Sequence, residues 1–284
     1  MKNFFKALGK AVLYFMVYYV LQVAVTFIFT VIVTVASVFT SPSMIEEDAF
    51  TFVGSIMEKT LSNVNLMMVI SVVLALFTYW IIFIARKKSF GAEINAVKPR
   101  GEHLVLLTIP VGILAQLALS STMSLLPIPD AMLDEYSNMF ALTKQGSVAW
   151  EIIATVLAAP ICEEVVFRGL VYSRLKKGMP KWAAILIQAV LFGLMHGQAL
   201  WITYAALAGI GFALAYDAFD SVLAPMLLHI VFNASSYLMA ILPDFPGALY
   251  VYCAVSIVLL VVMVGYISRK LKGIPDEKPD EMPV

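Results

Sequence analysis

Two adjacent glutamates, Glu163 and Glu164, stand inside a hydrophobic stretch long enough to cross a membrane, with Arg168 five and four residues behind them. A charged side chain at the centre of a bilayer costs roughly 2.5–3.5 kcal/mol on insertion scales, so such residues mark a function by default. Glu164 and Arg168 are spaced to share one helix face and pair. Glu163 lies about 100° further round the helix, where its own helix offers no basic partner. Pro160 carries no backbone N–H, so it is expected to free the carbonyl of Val156 and kink the chain just before the carboxylates. The chain has three histidines. His103, beside Arg100 and Glu102, reads as an interfacial residue. His196, four residues after Phe192, and His229, four before Asn233, lie in apolar runs.

A carboxylate beside two imidazoles in a low-dielectric cavity has the parts for activating water. Burial moves a carboxyl group toward the range useful for a general base, and nearby donors stabilise a developing oxyanion. Asn233 can donate to a tetrahedral intermediate without changing charge. The reaction implied is hydrolysis, most naturally of a peptide bond presented within or beside the membrane. The same Glu163, His196 and His229 could instead hold zinc as a His2Glu site with an open position for water, although the His-Glu-x-x-His pattern is absent. Cys162 adjoins Glu163 but points about 100° away and reads as a buried structural thiol. There is no Gly-x-Ser-x-Gly elbow. The Ala-Gly-Ile-Gly-Phe run around Gly209 and Gly211 is not a phosphate loop; it reads as small residues that let helices approach.

The elements that must position these residues are membrane spans. The 284 residues are 61% hydrophobic and 13% charged, with a mean hydropathy of +0.90, against about 45–50% and about 25% in soluble domains. The net charge of zero gives no basic footprint for nucleic acid. A crossing needs about 20 apolar residues, and eight stretches qualify: 11–38, 65–85, 104–126, 147–173, 182–198, 201–217, 222–242 and 247–268. The all-α polytopic bundle so predicted divides into 1–146 with three spans, a core over 147–242 with spans four to seven, and 243–284 with the last span and a short charged tail. The first apolar run is far longer than a signal-peptide core of about 7–15 residues and is expected to be retained, with Lys2–Lys10 lying on the inner leaflet. Lysines and arginines at 2–10, 86–100, 174–181 and 269–272 alternate with acidic loops at Glu46, Glu47, Asp48 and at Asp130, Asp134, Glu135. That places both termini in the cytoplasm; the turn at Asp217 and Asp220 is the one misfit. At about 1.5 Å per residue, Glu163 lies about 15–18 Å from the cytoplasmic end of its span, His196 about 21 Å, and His229 with Asn233 about 10–17 Å, so the four can meet.

Three motifs in order, Glu163-Glu164-Val-Val-Phe-Arg168, Phe192-Gly-Leu-Met-His196 and His229-Ile-Val-Phe-Asn233, resemble those of the CAAX protease and bacteriocin-processing family (Abi, type II CAAX prenyl endopeptidase-like). The resemblance covers roughly 147–240. It implies an all-helical intramembrane endopeptidase with a cavity open to the cytoplasm. By position, Glu163 would be the water-activating base, assisted by His196. His229 and Asn233 would form the oxyanion site, Glu164 and Arg168 would hold the geometry, and Phe192 would support them. No cofactor is expected, with zinc on Glu163, His196 and His229 as the alternative. The expected partners are the lipid bilayer and a membrane-associated protein or peptide, lipidated ones included, and not nucleic acid. The compact loops point to a bacterial plasma membrane. Two other readings compete: a non-catalytic bacteriocin-immunity protein using the same polar cavity, and a proton-coupled transporter, which would require an inverted repeat that the spans do not show.

Overall fold

A computed structural model describes residues 2–40 and 49–274. Within them the chain is helical, with no strand. Ten helices matter here: α1 Lys2–Thr40, α2 Ala49–Leu61, α3 Val64–Ala85, α4 Thr108–Leu125, α5 Asp130–Thr143, α6 over 148–175, α7 Lys181–Leu194, α8 Ala199–Phe219, α9 Leu223–Ser235 and α10 Ala248–Lys272. Five stretches are long and apolar enough to cross a membrane: Phe4–Thr40, Val64–Ala85, Glu102–Leu125, Ala199–Phe219 and Ala248–Lys272. α7 and Leu223–Leu238 are shorter apolar helices. The result is an all-α membrane bundle in which each of the eight expected spans has a helical counterpart, not all of them full crossings.

Several boundaries differ from the sequence reading for physical reasons. α1 continues unbroken from Lys2, so the lysine-bearing start extends the first span along its axis instead of forming a separate surface segment. α2 and α5 were expected to be loops, because neither is apolar for long enough to register as a crossing. α7 stops at Leu194, since Gly197 turns the chain at φ 76° and Gln198 caps the next helix by accepting from Trp201 N. Its 14 residues reach about 21 Å, short of the roughly 30 Å hydrocarbon core. The expected acidic loop at Glu46, Glu47 and Asp48, and the tail beyond Ile274, lie outside the described residues.

α6 is the centre of the bundle. Every residue from Glu164 to Leu175 is buried, with α1, α7 and α8 packed around it. It is not a uniform α-helix: Ile153–Ala158 and Glu164–Tyr172 are π-helical, with an α-helical turn at Ala159–Glu163 between them. π-helical turns are rare and concentrate at functional sites.

The basic loops gather at one end. Arg100 N donates to Phe219 O at 2.7 Å and Val222 N to Asn95 O at 3.0 Å, while Arg100 Nη2 reaches Leu271 O at 2.9 Å. Arg174 pairs with Glu93. The misfit turn is explained here: Asp217 is bonded to Lys176 and Lys181, each at 3.0 Å, and to Tyr172 Oη at 2.6 Å. Its cations come from the neighbouring loop rather than from its own.

Candidate functional site

The two glutamates end the α-helical turn of α6 and begin its second π segment, and they have unlike surroundings. Glu164 is fully buried and accepts through Oε1 from Arg168 Nη1 at 2.8 Å and from His229 Nδ1 at 2.8 Å. Since a carboxylate without a proton only accepts, His229 Nδ1 is the donor. Arg168, also fully buried, donates through Nη2 to Gly209 O at 3.0 Å. Its guanidinium lies 4.6 Å from the Phe192 ring centroid and 5.1 Å from that of Phe212, a desolvated cation held between two π faces. A Cβ at residue 209 would sit 3.0 Å from Phe192 and 3.3 Å from Arg168 Nη2, so only glycine lets α8 come this close.

Glu163 is different. Its side chain keeps 17% exposure, and its nearest ionisable contact is His229 Nε2, 3.8 Å from Oε2. His229 therefore spans the pair, with one ring nitrogen on each carboxylate. Phe212 stacks on the imidazole at 4.3 Å and fixes its plane. His196 sits in the turn after α7, not within the helix as the sequence suggested, and there its Nδ1 contacts Phe192 O at 3.0 Å. A carbonyl only accepts, so this nitrogen donates and the neutral ring keeps Nε2 as its basic atom. Phe192 touches both imidazoles edge-on, at 5.2 Å to His196 and 5.9 Å to His229. Trp201 covers the other side of His196 at 5.6 Å.

Asn233 is one turn past His229 on α9, but its amide donates to Thr155 O at 2.8 Å and to none of the other three site residues. The π segment explains this bond. With i to i+5 pairing, as in Ala159 N to Ala154 O, the carbonyl left without an N–H by Pro160 is that of Thr155. The Val156 carbonyl named from α-helical spacing is therefore off by one residue. Asn233 supplies the missing donor.

Glu163, Glu164, Arg168, Phe192, His196 and His229 are thus brought together, with Asn233 at the margin. Sequence reasoning missed Gln188, which is fully buried and donates to the same Gly209 O at 3.0 Å. It also missed Phe212. Gln188 could have been found as a polar residue of an apolar helix one turn before Phe192; nothing in the sequence sets Phe212 apart from other aromatics. Among the described residues no three His, Cys, Asp or Glu groups are arranged to hold an ion. On the far side of Phe212 and Phe232 lies an apolar cavity of about 660 Å³, lined also by Val111, Leu119, Leu207 and Leu260.

With this geometry in place, the family comparison falls on the same segment. Residues 145–235 match the Rce1-like family model, described as type II CAAX prenyl endopeptidase Rce1-like. The match takes in all three motifs. Over 92 residues the chain is 27% identical to YdiL of Bacillus subtilis (strain 168), a protein named as a candidate membrane peptidase. That alignment covers 32% of this chain and 38% of YdiL. No solved structure matches.

Proposed function

We propose that the chain is an intramembrane endopeptidase that hydrolyses a peptide bond of a membrane-associated protein or peptide with water activated by Glu163. The observation that carries this reading is the inequality of the two glutamates. Glu164 accepts from Arg168 and His229 through Oε1 and is sealed from solvent, whereas Glu163 is reachable and faces an imidazole. A structural ion pair needs only the first glutamate; the second has no structural partner that would explain its place. In the reaction Glu163 takes a proton from water as the oxygen adds to the scissile carbonyl, with His196 assisting through Nε2. His229 serves the oxyanion through Nε2 when both its ring nitrogens carry hydrogens, alongside the amide hydrogen of Asn233 not given to Thr155, and the proton taken by Glu163 then passes to the leaving amine. No step requires a metal. The Rce1-like match over 145–235 supports the reaction class.

In this reading residues 147–242 are the catalytic core, 1–146 and 243–284 flank it, and the basic end with both termini faces the cytoplasm of a bacterial cell. The apolar cavity beside Phe212 would take an apolar part of the substrate, a lipid modification included. The test compares new protein termini in host membranes carrying wild-type protein or Glu163→Gln at matched levels. Termini confined to the wild type are expected. Identical sets from two correctly inserted proteins would discard the protease reading in favour of a binding role such as bacteriocin immunity.

A further inference from the structure

At the basic end of the bundle, the first turns of α1 and the chain leaving α6 enclose a cavity of about 190 Å³ lined by Lys6, Ala7, Lys10, Arg174 and Lys177. Four of these five residues are cationic and none is acidic. The only carboxylate bonded to this group is Glu93, which is shared between Arg174 and Lys88. Arg174 is buried, with its guanidinium committed to Glu93 and to Ser173 Oγ at 2.9 Å. Lys6, Lys10 and Lys177 make no ion pair among the described residues, and three like charges converge on one space. The crowding is felt at Lys177: burial, and then the charge of Arg174, hold its ammonium below the usual lysine range, with Lys88 and Lys10 adding and Glu93 opposing.

The position of the cavity narrows what could neutralise it. Lys10 immediately precedes the long apolar run of α1, and Lys177 stands two residues beyond the end of α6. Both therefore lie where hydrocarbon gives way to headgroups, the depth at which anionic lipids attract lysine and arginine. Flexible ammonium groups suit a phosphate as point charges, without demanding the bidentate geometry of arginine.

We propose that this cavity binds the phosphate of an anionic lipid headgroup and so ties α1 to the end of α6, the helix that bears Glu163 and Glu164. This is independent of the reaction catalysed. It is tested by native mass spectrometry of the full chain, purified in mild detergent with equal phosphatidylglycerol and phosphatidylcholine. Wild-type protein is expected to retain phosphatidylglycerol preferentially, and Lys10→Gln with Lys177→Gln to lower that preference by about fivefold for each charge removed. Lys98→Gln, an exposed lysine paired with Glu102 away from the cavity, should retain it. A preference that is absent, or unchanged in the double variant, overturns the proposal. A parallel arm measures thermal stability with inorganic phosphate alone. Stabilisation there without any lipid preference would assign the cavity to a soluble anion and equally overturn it.

Discussion

Neighbouring glutamates differ in chemistry only when their surroundings differ, and the surroundings of Glu163 and Glu164 are set by partners on other helices. Glu164 meets Arg168 of its own helix and His229 of α9; Glu163 meets the other nitrogen of the same imidazole. Two substitutions should therefore separate. Glu163→Gln should lower the cleavage rate by roughly 10²–10⁴-fold and leave the melting temperature in detergent nearly unchanged; a parallel loss of both would show that Glu163 is structural. Glu164→Gln leaves Arg168 buried without its counter-charge and should cost about 3–5 kcal/mol in unfolding free energy, the penalty of breaking a buried pair. The Glu164–Arg168 pair was legible in the sequence, because a four-residue spacing survives as a contact even through π-helical turns. Gln188 and Phe212 were not, because their importance comes from which helix they face, and single-sequence periodicity carries no information about neighbours.

α6 shows how an element positions a site by departing from regular geometry. Pro160 was read as freeing a carbonyl, which α-helical arithmetic assigned to Val156; the π register moves it to Thr155, where Asn233 compensates. A double-mutant cycle tests this. Asn233→Ala alone leaves a part-buried acceptor unpaired and should cost about 1 kcal/mol. In a Pro160→Ala background the cost should shrink, because residue 160 then offers its own N–H to Thr155. Additive costs in the cycle would refute the register argument. The helices themselves were legible from length and apolarity, and their ends less so. α7 was extended past Leu194 because hydropathy continues through Met195, whereas the turn at Gly197 is a backbone decision.

For the molecule as a whole, the basic loops do more than bias orientation: they stitch one end of the bundle together. Glu93 joins Lys88 to Arg174 across that end. Burial alone would raise its pKa, but the Lys88 hydrogen bond and the charges of Arg174 and Lys177 outweigh burial and hold the carboxyl below its usual range. A carboxyl lowered in the folded state stabilises above its unfolded pKa of about 4.3, and the benefit is lost as pH falls through the lower folded value. The protection of the amides at residues 92–95, taken relative to the intrinsic exchange rate at each pH, should accordingly fall below about pH 4, and Glu93→Gln should remove that fall. The central position of α6 carries one more consequence, for insertions and deletions. A π segment holds more residues per turn than an α-helix. Deleting one residue within Ile153–Ala158 would let that stretch relax to α geometry, and five α-helical residues sweep nearly the same angle as six π-helical ones, so the flanking residues would keep their faces. Removing a residue between Thr155 and Pro160 would also put Thr155 four residues before the proline, so its carbonyl would stay the one left for Asn233. Homologous chains one residue shorter between Ile153 and Ala158 should therefore keep the arrangement around the glutamates, whereas a deletion within the α-helical turn Ala159–Glu163 should not.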